Sequence, residues 1–81
     1  MKRLDILNKI NDEIKRAEAL HPEWPSDLCE QVLVVSEEMG EAQKAVLQFV
    51  QGEVLTDENI DEEMIQVAAM AVRFLMHRSK T

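Results

Sequence analysis

The sequence is poor in the residues that interrupt helices and in those that build disulfides. It contains two Gly, two Pro and one Cys in 81 residues, with two Phe, one Trp and no Tyr. So few turn-forming residues, together with no regular alternation of β-branched and polar side chains, favour helix over strand. The lone Cys29 excludes an internal disulfide, and we expect it to be a small buried apolar residue in a helix.

A surplus of positive charge is also missing. Nine Lys and Arg stand against sixteen Asp and Glu, for a formal net charge of -7. Binders of nucleic acid or of anionic membranes carry basic patches, so neither partner is expected. Phosphorylated small molecules remain possible ligands, because a divalent cation can bridge carboxylate and phosphate. No apolar run reaches membrane-spanning length and no secretory apolar segment is visible, which predicts a cytoplasmic protein.

Hydrophobic periodicity predicts an all-α fold with three helices in a single domain, residues 1–81. The first helix runs over about residues 2–20 and ends at a segment that holds both prolines. The second begins at an N-cap on Ser26 and ends near Gly52, and the third follows a cap on Thr56. Helices of this length joined by short connections are expected to pack antiparallel.

The third helix carries two apolar stripes on roughly opposite faces. One matches the apolar stripe of the second helix, and the other comprises Ile65, Ala69, Val72 and Met76. Because a surface helix needs only one apolar face, a partner subunit is expected to cover the other one. The simplest assembly is a two-fold homodimer, or a tetramer, that completes a helical bundle. The alternative is that the first helix covers the second stripe.

Acidic clusters lie on the second and third helices. Glu38 and Glu41 are three residues apart, so their side chains lie on neighbouring faces and repel. At about 100° of rotation per residue, both lie at the edge of the apolar stripe, and Glu63 borders the stripe of the third helix. Either water screens these carboxylates as an ordinary acidic surface, or a cation lies between them. A hard cation such as Mg²⁺ prefers such oxygen ligands.

The acidic clusters also resemble a known family. The motif on the second helix is Glu37-Glu38-x-x-Glu41, and the motif on the third is Glu62-Glu63-x-x-Gln66, followed by an apolar run. They resemble the EExxE and ExxD motifs of the MazG-type all-α nucleoside triphosphate pyrophosphohydrolases. The likeness covers about residues 24–75, and the run 65–74 is similar to a small MazG-like branch of that family.

This resemblance implies an Mg²⁺-dependent enzyme that cleaves (deoxy)nucleoside triphosphates to monophosphate and pyrophosphate. By position, Glu38, Glu41 and Glu63 would be the metal ligands. The same residues together with Glu37 would form the catalytic set, in which Glu37 or Glu41 orients or deprotonates the attacking water. Metal polarisation of the phosphates would supply most of the catalysis.

The sequence departs from the family pattern where the Asp of the second motif is replaced by Gln66. A Gln carbonyl can ligate a cation but brings no charge. We therefore expect weaker metal binding, one metal fewer, or coordination through water. The alternative function is a non-catalytic helical dimerisation or nucleotide-binding module whose acidic stripe is solvated surface.

Three side chains are candidates for contact with a nucleotide: Trp24, Gln66 and Arg73. Trp24, in the proline-flanked loop, would stack on a base, or else would cap the end of the core. Arg73 follows Gln66 by about two turns on the same flank of the helix. It would meet a phosphate, or else would be a solvated helix charge. His77 is expected to be only a favourable cation near a helix C-terminus.

Overall fold

The computed structural model describes residues 1–78 and shows three α-helices. Helix α1 spans Arg3–Leu20, α2 spans Leu28–Val50 and α3 spans Glu58–Arg78. No strand occurs in the described part of the chain. The predicted all-α, three-helix fold is confirmed at this level. Within the same residues, no helix combines the length and the apolar character needed to cross a lipid bilayer.

The start of α2 differs slightly from the sequence prediction, whereas the helix ends near Gly52 as predicted. Asp27, rather than Ser26, is the N-cap, because its carboxylate accepts a hydrogen bond of 3.0 Å from the backbone N–H of Glu30. Both residues are good capping residues, so the sequence pattern alone does not choose between them. At the other end Gly52 adopts a φ of 76°. The N–H of Glu53 reaches back to the carbonyl of Gln48 at 2.9 Å, which closes α2 as in a Schellman motif.

The start of α3 also lies one position later than predicted. The helix begins at Glu58, so Asp57 precedes it instead of filling its first turn. The N–H of Ile60 bonds the carbonyl of Asp57 at 3.1 Å. The acidic residues of the first turn are Glu58 and Asp61, whose charges suit the positive end of the helix dipole.

Helix α3 packs against both other helices. Near the C-terminal end of α3, His77 stacks on Trp24, which lies just before α2. Near the start of α3, the charge of Glu63 raises the pKa of Glu38, which lies more than two turns into α2. These pairs run in opposite directions, so α2 and α3 are antiparallel. Since His21, at the end of α1, is bonded by Arg73 of α3, α1 and α3 run in the same direction.

The buried core is small and lies where α1 crosses α3. It consists of Ile14 and Ala17 from α1 and Ala69 and Met70 from α3, with partly buried apolar side chains around it. Ala69 is 0% exposed. The expectation that a partner covers the second stripe of α3 is therefore wrong for Ala69, which α1 covers. Val72 and Met76 of that stripe remain 36% and 42% exposed.

Much apolar surface is left uncovered along α2. Of its predicted stripe only Ala42 is buried, and the exposed members are Leu28, Val32, Met39, Val46 and Phe49. Cys29 is exposed, so the expectation that it is a buried apolar residue is wrong for the single chain. Cys29 lies on the exposed side of α2.

Candidate functional site

The loop between α1 and α2 is fixed by contacts with side chains of α3 and of α2. Trp24 stacks on His77 of α3 with ring centroids 5.0 Å apart and an interplanar angle of 5°. The Cζ atom of Arg73 lies 4.9 Å from the centroid of the Trp24 ring, in cation–π range. On the other side, the amide of Gln31 donates to the carbonyl of Pro25 at 2.9 Å. Trp24 is thus partly buried and fixed against α3.

Arg73 is the one charged residue that is buried among residues 1–78, at 4% exposure. Its Nη2 donates to the backbone carbonyl of His21 at 3.0 Å, and its Nη1 makes a weak contact of 3.9 Å with the Met70 sulfur. Its Nε has no hydrogen-bond partner. The possibility that Arg73 is a solvated helix charge is therefore wrong, because its guanidinium ties α3 to the end of α1. The expectation that His77 is only a favourable cation near a helix C-terminus is incomplete, because its ring packs flat on Trp24.

A cavity of about 300 Å³ lies beneath this loop. Residues of every helix and of the loop contribute to its wall. All three predicted substrate contacts line it, together with one predicted metal ligand: Trp24, Gln66, Arg73 and Glu38. The structure thus brings together side chains that the sequence places on three separate segments.

The predicted carboxylates differ in their surroundings. Glu38 is half-buried, and burial raises the pKa of its carboxyl group, with further upward contributions from Glu63, Glu13 and Glu41 in that order and from Glu37. Glu63 is also half-buried, whereas Glu37 and Glu41 are exposed. Glu38 is therefore the centre of an acidic cluster, which we define as Glu13, Glu38, Glu41 and Glu63. Of its helix-two and helix-three members, only Glu38 lines the cavity.

Two residues of α1 join this site and were not predicted. Glu13 and Arg16 line the cavity and form an ion pair with each other, with Nη2 and Oε2 2.6 Å apart and a second bond of 2.9 Å from Nε to Oε1. The hydrogen bond to Glu13 raises the pKa of the Arg16 guanidinium, and the charges of Glu13, Glu62 and Glu38 add to it. A signal existed: Glu13 lies beside Ile14 on the border of the apolar stripe, and Arg16 follows three residues later.

The side chains as placed do not form a ready-made metal cage. Among residues 1–78, no three His, Cys, Asp or Glu side chains are arranged closely enough to hold a cation. The chemistry of the donors nevertheless suits a hard ion, because the acidic cluster and Gln66 offer only oxygen ligands apart from one amide nitrogen. A cation bound there would have to draw Glu41 and Glu63 towards Glu38.

Comparison with protein-family models, with curated proteins and with solved structures found no match for this chain.

Proposed function

We propose that the protein is an Mg²⁺-dependent nucleotide pyrophosphohydrolase that cleaves nucleoside triphosphates to monophosphate and pyrophosphate. The observation that carries the proposal is the position of Glu38. It stands half-buried in the wall of the cavity of about 300 Å³, and its pKa is raised by burial and by the surrounding carboxylates. A carboxylate with a perturbed pKa at the edge of a cavity is typical of a functional site.

The unbalanced charge of the acidic cluster supports a cationic ligand. Arg16 lies in the same cavity wall, and its guanidinium is already paired with Glu13. The cluster thus keeps a net negative charge at a partly desolvated position, which is costly without a counter-ion. In the proposed enzyme Glu38, Glu41 and Glu63 would hold Mg²⁺, which would supply positive charge to the phosphate oxygens of the substrate.

The remaining roles follow from exposure and from the cavity wall. Glu37 and Glu41 are both exposed and neither lines the cavity, so both are accessible to water. Either of them would orient or deprotonate the nucleophile. Gln66 lines the cavity and would offer its carbonyl oxygen as a neutral ligand.

The test of the proposal is the response of the protein to Mg²⁺. We expect Mg²⁺ to raise the melting temperature more than NaCl of equal ionic strength, because a site ligand stabilises the native state by mass action and screening does not discriminate. Pyrophosphate release from a mixture of deoxynucleoside triphosphates should require Mg²⁺. Equal shifts in melting temperature with both salts, and no pyrophosphate, would contradict the proposal.

A second candidate function, a non-catalytic dimerisation module, is supported by the uncovered apolar surface. An apolar groove of about 310 Å³ runs between α2 and α3 and is lined by Val32, Val35, Ala71, Phe74 and Leu75. The accessible surface of the chain is 6192 Å². A compact monomer of 9.3 kDa would expose only about 5,000 Å². The excess of about 1,200 Å² exceeds the roughly 800 Å² that one partner buries in a standard interface.

Self-association is therefore expected in either function, with the groove between α2 and α3 at the interface. Sedimentation equilibrium should give twice the chain mass of 9.3 kDa, or a higher even multiple. Leu75→Lys places a charge in the groove and should shift the protein to monomer, because a buried unpaired charge is costly.

Leu55→Lys is the matched control. Leu55 is 97% exposed in the loop after α2 and lies outside the groove, so the same substitution there should leave the assembly intact. A wild-type monomer at micromolar concentration, or dissociation by Leu55→Lys but not by Leu75→Lys, would show that the groove is not the interface.

A further inference from the structure

Two buried hydrogen-bond donors in the cavity wall have no acceptor. They are Nε1 of Trp24 and Nε of Arg73, and both atoms are shielded from water. The two side chains line the same cavity and lie against each other. Buried donors are almost always paired in folded proteins, so two orphans in one place call for an explanation.

The surroundings of Arg73 contain few hydrogen-bond acceptors. The residue is only 4% exposed, and its two contacts are a backbone carbonyl and a methionine sulfur. No carboxylate of the described residues pairs with it, although a buried guanidinium is ordinarily paired. This end of the cavity therefore has an excess of donors, whereas the end near Glu38 has an excess of negative charge.

We propose that the donor-rich end of the cavity binds the base of the nucleotide and prefers bases that carry an exocyclic carbonyl oxygen over adenine. The inference rests on the proposed function, because Glu38, in the same wall, places the phosphates at the other end. A carbonyl oxygen of hypoxanthine, guanine or a pyrimidine accepts from Arg73 Nε or Trp24 Nε1. Adenine has an amino group at the corresponding position, so an N–H donor of the base would face an N–H donor of the protein.

The geometry also changes the role of Trp24. Its ring is already covered by His77 and approached by the Arg73 guanidinium, so the base meets the N–H edge of the indole instead of stacking on a bare face. Both donors are covered in the present arrangement, so binding of an acceptor requires the Trp24 side chain to rotate. Such a rotation shifts the indole against His77.

Trp24 makes the test direct, because it is the only tryptophan and the chain has no tyrosine. Its emission can be followed while non-hydrolysable analogues of inosine and adenosine triphosphate are titrated in Mg²⁺, with calorimetry in parallel. Hypoxanthine and adenine differ mainly in the group on C6, so the pair isolates the carbonyl. We expect the inosine analogue to bind at least about tenfold more tightly, the range of a well-placed base contact.

Variants test which donor produces the preference for the inosine analogue. Arg73→Lys keeps the charge but removes the Nε donor, and Trp24→Phe, followed by calorimetry, keeps a ring but removes the N–H. Each should reduce the preference to below about threefold, while Arg78→Lys, an exposed arginine outside the cavity, should leave it unchanged. Circular dichroism checks that each variant keeps its helices. Since either variant alone tests the preference, misfolding of Arg73→Lys leaves Trp24→Phe to decide.

The possible failures are distinguishable. Equal binding of both analogues would overturn the base preference and leave the proposed hydrolase standing. Failure of both to bind, with or without Mg²⁺, would overturn the preference and the hydrolase together. If inorganic phosphate alone perturbs Trp24 as strongly as the nucleotides do, and Arg73→Lys removes that effect, the donors form an oxyanion site and the base preference is wrong.

Discussion

Glu38→Gln should reduce pyrophosphate release by about 100-fold or more and, in the absence of Mg²⁺, should raise the melting temperature. The loss of activity is expected because the side chain would be a direct metal ligand, and even residues that only support metal ligands are worth 10–100-fold. The gain in stability is expected because burial and Glu63 raise the pKa of Glu38, so its charged form is disfavoured in the folded chain. Gln removes that charge with little change in shape.

The pH dependence of the rise in melting temperature distinguishes the removal of a carboxyl group with a raised pKa from a general effect of net charge. A carboxyl group whose pKa is raised by folding costs no stability below its ordinary value of 4.5 and costs progressively more as pH rises towards its folded value, then a constant amount. The difference in melting temperature between Glu38→Gln and wild type should therefore be near zero below pH 4.5 and reach a plateau at neutral pH.

The matched control for Glu38→Gln is Glu53→Gln, which makes the same chemical change at an exposed residue of the loop after α2. It should alter neither activity nor the stabilisation by Mg²⁺. Unchanged pyrophosphate release in Glu38→Gln, or a stability gain that does not vary with pH, would contradict the role assigned to Glu38.

Gln66→Asp should tighten Mg²⁺ binding by about tenfold and extend pyrophosphate release to lower Mg²⁺ concentrations. Gln66 lines the cavity with Glu38, and the substitution adds an anionic oxygen beside a cation that already has carboxylate ligands. If the acidic cluster is only solvated surface, the same change adds one more like charge near Glu63. It would then lower stability by a few tenths of a kcal/mol and give no response to metal.

Calorimetric titration of Mg²⁺ into both proteins measures this difference, with pyrophosphate assayed in the same samples. Gln43→Asp is the control, since it adds an identical charge on the exposed side of α2. Tighter Mg²⁺ binding in both variants would point to net charge instead of a site. Unchanged affinity in Gln66→Asp, without activity in either protein, would favour the dimerisation module.

The sequence was sufficient to predict the helices because their apolar residues recur with a helical period and because prolines and caps lie between them. It was less able to place the caps, since Ser26 and Asp27 are equally suitable in chemistry. It could not show which helix covers Ala69, because that depends on the packing of α1 against α3 and not on the pattern within α3.

The candidate site, too, was predictable from the sequence only in part. Glu38, Glu41 and Glu63 were predicted to be partly buried from their place beside the apolar stripes. Glu38 and Glu63 are half-buried, but the prediction is wrong for Glu41, which is exposed. The burial of Arg73 was not predictable, because its main partner is a backbone carbonyl 52 residues away, and a backbone carbonyl leaves no trace in the side-chain pattern. Mg²⁺ binding, catalysis and self-association remain predictions.

The order of synthesis makes the contacts of α3 decisive for how the chain folds. The buried faces of α1 and of the loop with Trp24 are covered by Ala69, Met70 and Arg73, all in α3. Until α3 has emerged from the ribosome, Ile14 and Ala17 have no core to join, and most of the stability of a helix in a protein comes from the packing of its apolar face. Stable tertiary structure should therefore form only after α3 is available, as a late and cooperative event driven by contacts about 50 residues apart.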